Sequence, residues 1–208
     1  VYVNSVLEYP SIDRTFQEIP HAHVFDKIDG SSMRSEYSRK RGFYKHGRRY
    51  GLLDGASPAL EVVPDLFERT LRESLERLAR DNRWDNLVVF YEFYGVKSLS
   101  GLHVEGDPKF LSVFDASLDR ETILPPDEFR KLFEGEVPTP RFLGRFNWTR
   151  GFIDTVWRGE VEGVTFEGVV GKGHTKRGIL RGKAKTKAWI DQIHARFSPT
   201  EAKKIVES

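Results

Sequence analysis

The chain has 208 residues and a mass of 24.0 kDa, enough for one well-buried domain with two lobes. Hydrophobic residues make up 38% and aromatic residues 12%, which excludes a disordered chain. Lys+Arg 33 against Asp+Glu 31 leave a net charge of +2, so only the distribution of charge can mark a nucleic-acid binder. Cysteine is absent, which excludes a disulfide framework and thiolate metal ligation. No apolar run reaches the ~18 residues of a membrane span, and the first residues lack a basic-then-apolar leader. A cytoplasmic, soluble protein is the expectation.

In chain order, apolar and β-branched runs predict strands at His23–Ile28 and Met33–Ser38. Ser38–Tyr50 then brings six Lys/Arg residues and a His, interleaved with three aromatics. This is either a nucleic-acid surface or a solvated hairpin. Pro64–Asp81 predicts a helix with Leu66, Phe67, Leu71, Leu75 and Leu78 on one face. Strands follow at Asn86–Phe93 and Phe110–Ala116, and helices at Pro126–Phe133 and Thr149–Trp157. Strands at Gly168–Gly171 and Gly178–Lys185 fall in or beside a second basic stretch, Lys172–Lys187. Lys187–Phe197 predicts a helix, and Ser198 caps a short final one. The mixed order argues an α+β fold with antiparallel sheets. No Pro/Gly/Ser linker divides the chain, so residues 1–208 read as one domain.

Chemistry concentrates in five segments. Lys27-Ile28-Asp29-Gly30 would set Lys27 and Asp29 on one face if the strand runs through it, with Gly30 leaving room for a ligand. Glu92 ends an otherwise apolar strand, where a carboxylate is costly without a partner. Phe114-Asp115 lies at another strand end, and Glu167 precedes a glycine and an apolar pair. Lys183, Lys185 and Lys187 alternate with small residues. At strand spacing their ammonium groups face one way, and a polyanion would relieve the repulsion. A lysine-protected edge strand is the plain alternative. The six histidines show no metal-ligand spacing.

In this order the segments resemble motifs I, III, IIIa, IV and V of the covalent nucleotidyltransferases, a superfamily of DNA ligases, RNA ligases and capping enzymes. The resemblance runs from about Val24 to Trp189. It implies antiparallel sheets flanking a nucleotide cleft, with ATP and Mg²⁺ or Mn²⁺ as cofactors. Lys27 would be the nucleophile that forms lysyl–AMP. Asp26 and Ile28 would flank it, with Asp29 close by, and help form the adenosine pocket. Glu92 would hold the ribose hydroxyls and Phe114 would stack on adenine. Glu167 would bind the metal or its waters, and Lys183 and Lys185 the phosphates. An arginine after motif I would meet ribose or phosphate, with Arg39 and Arg41 as candidates. Lys187 has no secure counterpart.

Attack on an α-phosphate needs a neutral amine. From a lysine pKa of ~10.4, only about one in a thousand is neutral near pH 7.4, a deficit of roughly 4 kcal/mol. Nearby cations and partial burial reduce it. The stretch after Lys187 is too short for the oligonucleotide-binding barrel of DNA ligases and capping enzymes. Glu8–Ile12, Phe114-Asp115 and the Lys183–Trp189 segment are most similar to RNA ligases of the phage nick-sealing type. The expectation is an ATP-dependent RNA ligase that transfers AMP to a 5′-phosphate end and seals it to a 3′-hydroxyl. A compact DNA ligase and a non-catalytic RNA-binding protein of the same fold are the rivals. RNA is the expected partner, with DNA or a partner protein as further candidates.

Overall fold

Two compact units divide the chain, Val1–Pro10 with Gly30–Thr139, and Ser11–Asp29 with Pro140–Ser208. The computed structural model describes residues 9, 10, 12, 16–49, 51–53, 60–96, 98, 102–165, 167–176 and 178–207. Glu8 and Ser11 of the Glu8–Ile12 stretch, Tyr50 at the end of the basic segment, and Phe166 and Arg177 lie outside the described residues. No helix among the described residues is long and apolar enough to cross a membrane.

The first unit holds β2 (Ser31–Ser38), β3 (Gly42–Arg48), β4 (Asn86–Tyr94) and β5 (Phe110–Ser117) in an antiparallel sheet of order β3-β2-β4-β5. Alternation sends Met33, Tyr37, Leu87, Val89, Tyr91 and Phe93 to one face. There they pack on α1 (Val62–Thr70), α2 (Arg72–Asp81) and α3 (Pro126–Phe133). The opposite face carries a small cluster of Tyr9, Val88 and Phe90, with Phe114 and Ile123 packed against it. The Pro64–Asp81 helix is in fact two, broken at Leu71 (φ −120°). Leu71 N–H still donates to Phe67 O and Leu75 N–H to Leu71 O, so the predicted leucine stripe continues across the break.

The second unit holds β1 (Ile19–Lys27), β6 (Phe142–Trp148), β7 (Gly168–Thr175) and β8 (Gly178–Lys185), antiparallel in the order β6-β1-β7-β8. Val24, Val169, Ala184 and Trp148 share its apolar face with Val156 of α4 (Arg150–Trp157). Thr149 caps α4 by accepting from Phe152 N–H. α5 (Lys187–Arg196) and α6 (Pro199–Glu207) complete the unit. Ser198 and Glu201 form a reciprocal capping box ahead of α6, as its sequence predicts.

The α+β class holds, with both sheets wholly antiparallel. Two strands escape sequence pattern. β3 has charged, glycine-broken periodicity, and β6 pairs along β1 through register shifts. On β6, Trp148 lies over the paired Gly171 and Gly182, where an added Cβ would sit 2.3 Å and 2.5 Å from the indole. We expect Gly171→Ala to force the indole aside, costing about 1–3 kcal/mol. The measurement is chemical denaturation, and an unchanged midpoint would refute this packing role.

Candidate functional site

Cross-strand register builds the charged cluster of the second unit. Lys27 pairs with Gly168, and Gly168 with Lys185, so the two lysines lie level across β7. A Cβ on Gly168 (φ +149°) would meet Ala184 O at 2.0 Å, so only glycine lets the strands close here. Glu167, one residue earlier, accepts from Lys27 Nζ at 2.6 Å and from Lys185 Nζ at 2.9 Å. Its side chain is 4% exposed, against 21% for Lys27 and 8% for Lys185. Burial alone would raise the Glu167 pKa, but the charges and hydrogen bonds of Lys27 and Lys185 hold it below the ordinary carboxylate value. Lys185 is driven below the ordinary lysine value, chiefly by burial and also by the charge of Lys27, while Glu167 opposes the shift. Its ammonium lies 4.4 Å from the Trp189 ring centroid and donates to Ile205 O.

Neighbouring rows extend the polar face. Phe25, Val170 and Lys183 stand level in the next row, and His23, Lys172 and Arg181 in the one after. Lys172 is buried, 5.1 Å from the Phe25 ring centroid. Asp26 points to the other face, level with Val169 and Ala184. Its carboxylate accepts from Thr165 N–H (3.0 Å) and Thr165 Oγ1 (2.6 Å), fixing the segment ahead of Glu167.

Three expectations need correction. β1 ends at Lys27, so Asp29 does not follow it on a strand face. Asp29 is 1% exposed and accepts from the Trp189 indole N–H at 3.2 Å, while Ile28 is half-buried. The space that a side chain at Gly30 would take is filled by β4 rather than left open, because an added Cβ would meet Phe93 O at 2.4 Å. The three-lysine row is a pair, since Lys187 opens α5 and bonds Asp191 at 2.5 Å in solvent. Thr186, which caps α5, ends the alternation.

In the first unit Glu92 pairs with Ser32 and is half-buried on the face that also carries Phe90 and Val88. Phe114 is the extra residue of a β-bulge, since Phe90 pairs with Asp115 and Tyr91 with Val113. Tyr9 packs edge-on against Phe114 at 5.0 Å and donates its hydroxyl to Asp115. Arg39 and Arg41 lie in the β2–β3 turn, at the far end of β2 from Glu92, about 23 Å by strand rise. Arg39 is engaged there by Asp85 and Arg83 O.

The basic residues at the Glu92 end are different ones. Arg48 pairs with Met33, next to Ser32, and Arg49 follows it. Buried Arg34 donates to Arg48 O (2.8 Å) and Arg49 O (3.3 Å), holding this end of β3 in place. Arg49 Nε is buried without a hydrogen-bond partner among the described residues.

Among the described residues no group of three or more His, Cys, Asp or Glu side chains could cage a metal ion. Glu167 fits the looser binding typical of Mg²⁺, in which one carboxylate is completed by phosphates and water. Its two oxygens now serve Lys27 and Lys185 and would have to be shared.

Glu167→Gln would leave two largely buried ammonium groups without their anion, an expected loss of about 3 kcal/mol at neutral pH. A carboxylate with a depressed folded-state pKa stabilises fully above its unfolded pKa and loses that contribution as pH falls through the folded value. The difference between the native protein and the variant should therefore narrow below about pH 4. Denaturation series across pH measure it, and a constant difference would refute the assignment.

The RNA ligase family model matches residues 21–189. Among solved structures, a Naegleria gruberi RNA ligase mutant with ATP and Mn superposes with a TM-score of 0.60 at 19% identity, covering 89% of this chain and 59% of that one. The Naegleria gruberi RNA ligase with PPi gives 0.60 and 21%, covering 91% and 60%. An archaeal ATP-dependent RNA ligase gives 0.63 and 17%, covering 89% and 50%. These likenesses carry the fold, and the chain spans about three fifths of the Naegleria structures' length and half of the archaeal one. No curated protein matches. The family match takes in β1 from its third residue, all the later strands, and the first turn of α5, and on it the chain belongs to the RNA ligase family.

Proposed function

We propose that residues 1–208 form one adenylation domain of an ATP-dependent RNA ligase, with Lys27 as its nucleophile. The observation that carries the reading is Glu167 bonded to both Lys27 and Lys185. Glu167 positions the Lys27 amine at 2.6 Å but favours its protonated form, whereas the second cation on the same anion opposes that proton. Phosphates or a metal that drew on Glu167 would free the amine for attack. The Lys27 amine, once deprotonated, donates its lone pair to the α-phosphorus of ATP. The bond to pyrophosphate breaks as the phosphoramide forms. The AMP then passes to an RNA 5′-phosphate, and attack by a 3′-hydroxyl seals the strand and releases AMP. Bound Mg²⁺ or Mn²⁺ at Glu167 would neutralise phosphate charge. Lys183 and Lys185 contact the phosphates and disfavour a further proton on Lys27. Glu92 takes the ribose hydroxyls, and Phe114 stacks on adenine. Arg49, rather than Arg39 or Arg41, is the arginine that meets the nucleotide, on account of its buried Nε, unpartnered among the described residues.

Intact-mass analysis after incubation with ATP and Mg²⁺ should show one AMP adduct, mapped to Lys27 and lost in Lys27→Ala. A label elsewhere would overturn the assignment. Lys183→Ala and Lys185→Ala should each lower the adduct rate at least tenfold, and Lys187→Ala should change it little. Loss of a neighbouring cation raises the Lys27 pKa, so the pH optimum for adduct formation should rise in Lys185→Ala. An unmoved optimum would remove the electrostatic half of the argument. Arg49→Ala should slow the adduct about tenfold or more, whereas Arg39→Ala should not, and equal effects would send the role elsewhere.

A further inference from the structure

The basic segment carries a second cluster that the nucleotide chemistry leaves unused. Glu36 pairs with Lys45 and Tyr37 with Phe43, so Tyr44 is the extra residue of a bulge in β3. β3 is the edge strand of its sheet, where a bulge re-aims a side chain. Three cations gather on the Tyr44 ring, with Arg41 at 5.3 Å, Lys45 at 5.6 Å and Arg120 at 6.0 Å from its centroid.

Arg120 comes from the loop after β5 and adopts φ +67°, which a side chain rarely tolerates. Asp119 holds that loop, accepting from Ser117 Oγ (3.0 Å), Glu121 N–H (2.8 Å) and Thr122 N–H (2.7 Å). Thus presented, Arg120 donates to the Tyr44 hydroxyl at 2.7 Å. That hydroxyl in turn donates, at 3.5 Å, to Glu36, which is 6% exposed. Glu36 Oε1 and Arg120 Nε are both buried without a hydrogen-bond partner among the described residues. Three cations thus share one aromatic ring, whose hydroxyl is the group that bonds the Glu36 carboxylate. Cation–π attraction does not cancel their mutual repulsion, and an anion placed among them would.

We propose that Arg41, Lys45 and Arg120, organised by Tyr44, grip the phosphate backbone of a single-stranded RNA. The cluster lies about 13 Å along β2 from the Ser32–Glu92 pair, four residues of strand rise. It would hold the strand away from the reacting end, and in this it rests on the RNA ligase reading. Tyr44 acts as a positioning residue through its hydroxyl.

The test is fluorescence anisotropy with a labelled single-stranded RNA bearing a 3′-hydroxyl, without ATP, over a salt series. The double variant Lys45→Gln, Arg120→Gln should bind about tenfold more weakly and flatten the log–log salt slope by about 1.4, roughly 0.7 for each phosphate no longer neutralised. Tyr44→Phe keeps the ring and should weaken binding about threefold, a check that does not depend on the double variant's folding. AMP-adduct formation, measured in the same preparations, should be unchanged in all of them. Unaltered affinity and slope in both variants would overturn the grip while leaving the ligase reading intact. Unaltered RNA binding with loss of polyglutamate binding would assign the cluster to an acidic protein and overturn it equally. A native protein that forms no adduct yet loses RNA affinity through these substitutions would overturn the ligase reading and sustain the grip.

Discussion

Glu167 sits 4% exposed between two lysines, and a carboxylate at that depth is tolerable only because both oxygens are engaged. The engagement depends on backbone register more than on the side chains. Lys27, Gly168 and Lys185 fall level because β1, β7 and β8 pair without a slip at this end. A one-residue shift of β8 would put Ala184 or Thr186 level with Gly168 and leave Glu167 one cation short. The charged cluster and the strand register therefore specify one another. Two ammonium groups on one carboxylate leave a surplus of positive charge, which is what a polyphosphate would meet.

Both sheets divide their labour by face. In the second unit Val24, Val169, Ala184 and Trp148 make the core, and the lysines stand on the opposite side. In the first unit the helices cover one face, while Glu92 and Phe114 lie on the other beside Val88 and Phe90. Period-two alternation lets polar side chains cluster without entering the main core. The bulges at Tyr44 and Phe114 each re-aim an aromatic away from that simple alternation. Of these two aromatics, Phe114 is proposed to stack on adenine and Tyr44 to position the three cations around it.

Much of this was legible in the sequence because the signals were local. The leucine stripe of α1 and α2, the cap at Ser198 and the alternation of β8 depend on neighbours within a few residues. Lys27, Glu167 and Lys185 were legible singly, but their meeting was not, since it joins residues 140 apart in the chain. The condition that would have put Asp29 on the face of Lys27 fails, because β1 ends at Lys27 and the Trp189 indole donates to the Asp29 carboxylate beyond it. The helix expected from Lys187 is present, and it is this helix, capped by Thr186, that takes Lys187 out of the alternating lysine row. Arg39 and Arg41 drew attention by proximity in sequence to Lys27. An antiparallel hairpin carries its turn away from the strand's start and returns Arg48 and Arg49 to it.

A net charge of +2 hides two concentrated surpluses of different character. The one around Glu167 is mostly buried, so salt screens it weakly and its attraction is short-ranged. It favours a compact anion that can enter and be desolvated, as the phosphates of a nucleotide can. The one around Tyr44 lies on an edge strand with Arg41 exposed to solvent, where screening at physiological salt acts over about 8 Å. It favours an extended polyanion bound loosely enough to be released. On the proposed assignments, adduct formation and strand capture respond differently to ionic strength, because desolvation protects one set of charges and leaves the other in water.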